Sequence, residues 1–363
     1  MGLYDFTFYD LIARNAVCFK ENEAWFEVDD NRSLTFLQYK EKVDHLACGL
    51  QKAGIKKGDR IGVLGKNSLE YFLLYGAAAA LGAILLPINW RLSAEEVGFN
   101  LNDCEPKLVF ADKEFQELVR GLKAELASVE NYYNLSPEGG SFLAFDTLMD
   151  NPAEFEPEDV SSDDGFVIIH TAAVAGRPRG ALLCHENIAC ADMHFDYLFN
   201  VTPEDVHLNL LPLFHIAGLI MATTSFHAGA SNVNMSKFDA PRAVELIEEK
   251  KVSMLFTFSP ILSSILEQNE KTGKGIKSLR LSAGLDTPET IEKFQQLTGG
   301  TFYSIYGQTE TTCVATYGAY NDRPGSAGKM LPLTLVRLVD DYDQPVPAGQ
   351  VGEITVKGPM VFK

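Results

Sequence analysis

The chain has 363 residues, 46 % of them hydrophobic and 22 % charged, with a formal net charge of −18. That length exceeds what one compact core usually holds, and the composition is globular rather than disordered. The acidic surface argues against a nucleic-acid role, although a local nest of backbone N–H groups can still hold a nucleotide phosphate.

The N-terminus, Met1 to Asp10, has acidic residues and no basic stretch, so it does not read as a signal peptide. Phe36, Tyr39, Val43, Leu46 and Leu50 recur at helical spacing, and Gly54 suits the stop. Lys57-Gly58-Asp59 marks a turn before a short apolar strand, Arg60–Leu64. Asn67-Ser68 can cap the next helix. Tyr71 to Ile88 carries no charge and is long enough to raise a transmembrane reading. Its Ala and Gly content and Pro87 favour a buried helix through roughly Ala80, then a strand at Ile84–Ile88. Ser93 and Glu96 form a capping box, and Lys107–Phe110 is strand-like again. Strands separated by helices predict a parallel α/β sheet.

Residues 136–165, rich in Pro, Gly, Asp and Glu, read as a surface connection. Phe166–His170 resumes as a strand, and helix and strand alternate through Phe195–Leu211, Val244–Phe258 and Leu279–Tyr306. Leu333–Val339 and Val351–Val356 are short strands around a polar turn, Asp340–Asp343. The expected divisions are a first α/β subdomain at 1–160, a second at 161–325, and the start of a small β-barrel subdomain at 326–363. Cys18, Cys48, Cys104, Cys184, Cys190 and Cys313 form no CxxC pair. Free thiols in a reducing, cytoplasmic compartment are expected.

Three segments carry the chemistry. In Ile169 to Gly180 a strand feeds a loop ending in Arg179-Gly180, whose N–H groups can wrap a phosphate; alone it is equally an ordinary Gly/Pro loop. In Leu211 to Leu219, His215 stands among apolar residues before Gly218, where it can line an acid pocket or be a satisfied core histidine. In Ile305 to Thr312, Tyr306 offers a ring face, Thr309 a hydroxyl and Glu310 a hard oxygen for Mg²⁺; alone it is no more than a strand end.

Together, in this order and spacing, the three segments resemble the adenylate-forming superfamily of acyl-CoA synthetases, firefly luciferase and peptide-synthetase adenylation domains. Further landmarks are Gly54–Arg60, Asn67–Glu70, Pro87–Leu92, Ser282–Leu285, Arg323–Gly328 and Gly352–Pro359. The resemblance implies the family's large N-terminal domain, an α/β fold with parallel-rich sheets flanked by helices. It implies an AMP-forming acid–CoA ligase using ATP, Mg²⁺ and CoA, with no membrane span; a homodimer stays open. Carried over by position, Thr171, Ala172, Ala173, Val174, Ala175, Gly176 and Arg179 would cradle phosphates. Ala283, Gly284, Leu285, Tyr306 and Gly307 would border adenine, and Thr309 the α-phosphate. Glu310, with Thr171, would hold the metal, and His215, Gly218, Ala283 and Tyr306 would face the acid. His215, Arg179, Thr309 and Glu310 are the implied catalytic set.

Two departures stand out. The family loop reads Thr-Ser-Gly-Thr-Thr-Gly-x-Pro-Lys-Gly, whereas Ala172 to Ala175 carry no hydroxyl and Arg179 replaces Lys. A modified working loop and a weakened one are the two readings. The family's ribose-binding Asp, hinge and C-terminal domain with its catalytic Lys lie beyond Lys363, so the chain is expected to be incomplete for a full cycle. His215, where peptide-synthetase domains carry an Asp for the substrate ammonium, favours an acid without an α-amine. The alternatives are a peptide-synthetase-type adenylation domain and a non-catalytic nucleotide- or acyl-binding relative. Small residues Ala217, Gly218, Ala228, Gly229, Ala283 and Gly284 suggest room for a medium or long acyl chain or a ring.

Overall fold

The computed structural model describes residues 5–137, 139–150, 155–171 and 178–363. The strands in chain order begin with β1 (Glu23–Glu27), β2 (Ser33–Thr35), β3 (Arg60–Leu64), β4 (Ile84–Ile88), β5 (Leu108–Ala111) and β6 (Asn131–Asn134). Then come β7 (Gly165–His170), β8 (Gly180–Cys184), β9 (Val206–Asn209), β10 (Ser231–Asn234), β11 (Met254–Phe258) and β12 (Leu281–Leu285). The last are β13 (Thr301–Tyr306), β14 (Thr316–Ala319), β15 (Lys329–Met330), β16 (Leu335–Val339) and β17 (Glu353–Lys357).

They form two large sheets. A six-stranded sheet runs β6-β5-β3-β4-β7-β8, parallel except for the β7–β8 hairpin. A nine-stranded sheet runs β15-β14-β13-β12-β11-β9-β10-β1-β2, parallel from β13 to β1 and antiparallel at both edges. β16 and β17 pair with each other as a largely exposed antiparallel hairpin. The parallel-rich α/β expectation holds. The sheets do not separate at residue 160, however: β7 and β8 complete the first sheet, while β1 and β2 are the edge of the second.

The uncharged stretch resolves into helix Leu69–Leu81 and strand β4. Every residue of this helix is buried; it is apolar on all sides apart from Glu70, whose carboxylate pairs with Arg32 at 2.6 Å. Phe72 stacks on Trp25 at 4.6 Å and meets Phe226 of helix Ile216–Ala228 at 5.8 Å. One apolar core joins both helices to Phe110 and Phe166 of the first sheet and Phe256 of the second. Among the described residues no helix is long and apolar enough to cross a membrane.

The predicted caps form. Ser68 Oγ accepts from Tyr71 N–H at 3.1 Å, and Ser93 and Glu96 make their reciprocal box. The 136–165 segment is less superficial than its composition suggests. Phe145 and Leu148 are buried, and helix Asp146–Met149 lies on helix Phe36–Lys52. Gly49 permits this, since a Cβ there would lie 2.0 Å from the Leu148 carbonyl oxygen. All six cysteines are free.

Candidate active site

Parallel α/β sheets present ligand sites beyond the carboxyl ends of their strands, where loops leave the hydrogen-bonded ladder. β7 ends at His170, β12 at Leu285 and β13 at Tyr306. The Thr171 N–H donates to the Arg179 carbonyl at 3.0 Å, closing the base of the β7–β8 loop and setting these two residues face to face. Pro178 and Arg179 lead straight into β8, and the Arg179 side chain is exposed. Ala172, Ala173, Val174, Ala175 and Gly176 lie outside the described residues.

The β13 end comes to the same place. After Tyr306 the chain makes a tight turn, Thr309–Thr311, that packs against β8. The terminal segment stitches the two together. Phe362 N–H donates to the Glu310 carbonyl at 2.9 Å, Lys363 N–H to that of Leu182 at 3.2 Å, and Thr312 Oγ1 to that of Met360 at 2.6 Å. Gly307 is required here, because a Cβ would sit 2.1 Å from the Cys313 carbonyl oxygen. Thr312 and Cys313 both hold positive φ, 46° and 85°, a costly conformation for side-chain-bearing residues. The Thr312 and Thr311 side-chain hydrogen bonds hold the turn in it. No sequence signal marked this strained pair.

Tyr306 is 39 % exposed, so its ring is open to a ligand. Thr309 is buried and Glu310 half-buried. Among the described residues the Glu310 carboxylate pairs with no cation. A half-buried, unpaired hard oxygen suits a divalent cation, so the residues present fit Mg²⁺.

The three residues expected as an adenine wall separate. Ala283 is fully buried within the core. Gly284 has φ +138°, and a Cβ there would lie 1.8 Å from the Thr257 carbonyl oxygen. Only Leu285, 54 % exposed, presents its side chain at the strand end. Two of the small residues expected to leave acyl volume, Gly218 and Gly229, meet close neighbours instead. Gly218 packs against the Pro212 carbonyl, where a Cβ would be at 2.2 Å, and Gly229 ends its helix at positive φ against the Phe19 ring.

His215 is the N-cap of helix Ile216–Ala228, its Nδ1 accepting from Ala217 N–H at 3.2 Å. The His215 side chain is exposed to solvent on one side, while the protein packed around its other side lowers its pKa below the ordinary histidine value by desolvation. The neutral imidazole this favours keeps Nδ1 available as an acceptor.

The preceding segment is clamped from the first sheet. Asn67 Nδ2 donates to the Leu211 carbonyl at 2.8 Å, Asn67 Oδ1 accepts from Leu213 N–H at 2.7 Å, and Tyr75 OH donates to the Leu213 carbonyl at 2.8 Å. The Arg91 guanidinium lies 4.4 Å from the Trp90 ring centre and 5.7 Å from that of Phe214. By sequence Asn67 suits a helix cap; its long-range role has no local signal. A cavity of about 350 Å³, lined by Arg32, Lys42, Glu70, Leu73, Phe145 and others, includes none of the expected site residues.

The AMP-binding enzyme family matches residues 12–363. The chain is 31 % identical over 340 residues to an indoleacetate–CoA ligase of Aromatoleum aromaticum, covering 91 % of this chain and 66 % of that protein. It is also 31 % identical to the fatty acid–[acyl-carrier-protein] ligase ScoC of Streptomyces coeruleorubidus, covering 91 % of this chain and 65 % of ScoC. The chain thus spans slightly less than two thirds of the length of these relatives. Its structure is similar to a protein from Rhodopseudomonas palustris assigned as a long-chain-fatty-acid CoA ligase, with TM-score 0.94 and 41 % identity, covering 100 % of this chain and 91 % of that one. It is also similar to the N-terminal domain of FACL13 from Mycobacterium tuberculosis, with TM-score 0.90 and 25 % identity, covering 99 % and 91 %. With this family matching nearly its whole length, the chain belongs to the AMP-binding enzymes.

Proposed function

We propose that this chain activates an organic carboxylic acid with ATP to give acyl-AMP, the adenylation half of an AMP-forming acid–CoA ligation. The observation that carries this reading is the stitching of the Thr309–Thr311 turn to β8 through Phe362 and Lys363. It sets Thr309 and Glu310 beside the strand that begins after Arg179.

In the proposed step a carboxylate oxygen attacks the α-phosphorus. The bond to the bridging oxygen breaks, and pyrophosphate leaves with the electron pair. Anion attacks anion, so cations must offset the repulsion. Arg179 supplies a fork of donors for the β- and γ-phosphates, with the loop N–H groups beside it. Thr309 offers its hydroxyl to the α-phosphate, and the Tyr306 ring and Leu285 flank adenine. Glu310, with Thr171 as second oxygen donor, would hold Mg²⁺, which when bound offsets phosphate charge. A neutral His215 at the acid-binding end leaves the entering carboxylate unprotonated. CoA thiol then attacks the acyl carbon, expelling AMP; CoA enters the proposal through the names of the CoA-ligase relatives.

The class of acid is proposed only as one lacking an α-amine, since His215 provides no anion for an ammonium. The experiment is calorimetric titration of the chain with ATP and Mg²⁺, then pyrophosphate release over fatty, arylacetic and amino acids. Release with the first two groups is expected. Release with amino acids alone would favour the peptide-synthetase reading. A folded chain that binds no ATP would overturn catalysis in favour of a non-catalytic relative.

A further inference from the structure

Helix Ala94–Cys104 ends beside the last residue of β7. One ring nitrogen of His170, the Cys104 thiol and a carboxylate oxygen of Asp103 lie within 4.8 Å of one another. The His170 side chain is 95 % buried, its exposure being 5 %, and Nε2 pairs with Asp103 Oδ2 at 3.0 Å. Its other nitrogen, Nδ1, is buried with no hydrogen-bond partner among the described residues. Nε2, the nitrogen that meets the Asp103 carboxylate, is the one that faces the cluster. The ring is fixed by Phe99, edge-on at 6.4 Å.

We infer that Asp103, Cys104 and His170 form a site for a thiophilic divalent cation of the Zn²⁺ type, separate from the Mg²⁺ ligands assigned above. Sulfur, imidazole and carboxylate are the donor set this ion takes, with three protein ligands and a water as a common arrangement. Tetrahedral bonds of about 2.0–2.3 Å require the three donors to close in slightly, which the exposed Asp103 side chain permits. The carbonyls at the helix C-terminus favour a cation, although Arg60 already occupies part of that position, donating to the Cys104 carbonyl at 2.6 Å.

Burial pushes the Cys104 thiol up to about 12, so it is protonated before binding. On binding, the sulfur–metal bond forms and the thiol proton passes to solvent; the His170 ring takes the tautomer with its proton on Nδ1, so that Nε2 gives the lone pair, and no oxidation state changes. An occupied site ties the end of helix Ala94–Cys104 to the residue before Thr171. It would thereby restrain the strand that launches the phosphate loop.

The test titrates Co²⁺ alone into the full chain and follows the near-ultraviolet thiolate-to-cobalt band, then displaces Co²⁺ with Zn²⁺. One equivalent with a tetrahedral spectrum is expected. Cys104→Ser should abolish the band, and His170→Gln should weaken Zn²⁺ binding by at least about tenfold. Cys190→Ser, which alters another half-buried thiol, should leave both unchanged. If Cys104→Ser fails to fold by circular dichroism, alkylation of Cys104 in the unaltered protein replaces it, and Zn²⁺ should slow that reaction. No band, a band that survives Cys104→Ser, or alkylation indifferent to Zn²⁺ overturns the site.

Discussion

The Asn67 side-chain oxygen accepts from the backbone N–H of Leu213 at 2.7 Å, across 146 positions of sequence. This bond, with its companion to Leu211, ties the start of helix Leu69–Leu81 to the segment that carries His215. Asn67→Ala removes both and leaves a buried N–H and a buried carbonyl without partners. A loss of about 1–3 kcal/mol in stability follows for each buried group left unsatisfied. Urea unfolding should show a lower midpoint with an unchanged slope, and pyrophosphate release should fall more than the unfolded fraction explains. An unchanged midpoint would mean that Asn67 holds nothing.

Glu310 is predicted to act through its charge. Glu310→Gln keeps the shape and backbone of the turn, including the Phe362 bond to the Glu310 carbonyl, and removes the anion. Adenylation should drop about tenfold or more at low Mg²⁺ and recover partly at high Mg²⁺, because a charged oxygen ligand has become a neutral one. Thermal stability should stay within about 0.5 kcal/mol of the parent, as for most substitutions away from packed features. Equal activity at every Mg²⁺ concentration would remove Glu310 from the metal.

Gly284 tests the close approach of β12 to β11. A side chain there meets the Thr257 carbonyl oxygen at 1.8 Å and sits at φ +138°, so Gly284→Ala cannot be accommodated without shifting a central strand. Overpacking and backbone strain each cost about 1–3 kcal/mol. Soluble yield and melting temperature should both fall sharply. A normal melting temperature would show that the strand end adjusts freely.

These residues also mark where the sequence was legible. Helix Leu69–Leu81 and strands β3 and β4 could be read because periodicity, caps and turn glycines are local signals. The site strings stood out by their order. Which sheet a strand joins is a different matter, since β1 pairs with β10 about two hundred residues away. Small residues were ambiguous for a similar reason: Gly218, Gly229 and Gly284 can mean an open pocket or a crowded backbone, and only the neighbouring carbonyls and the Phe19 ring decide for crowding.

Stability should fall as pH rises from about 6.5 to 9. Burial pushes the carboxyls of Glu27 up to about 7 and Asp196 up to about 9, the latter with help from the Asp192 charge. Between their ordinary values and these, the folded chain holds protons that the unfolded chain releases, so raising pH favours unfolding. His185 and His207, buried and lowered to about 4, act in the opposite sense, and only below about 6.5, where an unfolded histidine titrates. Above that the carboxyls dominate, and near pH 9 the buried thiols of Cys104 and Cys190, also raised by burial, act in the same sense. Denaturant midpoints across this range should decline, and Asp196→Asn should flatten the decline. A rising midpoint would contradict the sign.

On the proposed function, the altered phosphate loop would set the rate of adenylation. Ala172 to Ala175 offer no hydroxyls, so in that proposal phosphate binding would come from backbone N–H groups and from Arg179. Arg179 is exposed, and its backbone is held by the Thr171 bond at the base of the loop. Among the described residues no carboxylate pairs with it, which leaves its fork free for a ligand. Arg179→Ala should cost about 1.5–3 kcal/mol, the value of a charge-assisted contact, and so reduce ATP–pyrophosphate exchange roughly ten- to a hundredfold. The backbone bond to Thr171 survives this change, so the melting temperature should hold. Arg179→Lys should recover part of the loss, since it restores charge without the bidentate fork. Ala172→Ser and Val174→Thr should change exchange little or raise it modestly. If Arg179→Ala is silent while Ala172→Ser raises the rate by orders of magnitude, the natural loop is degenerate and the chain is a weakened member of its family.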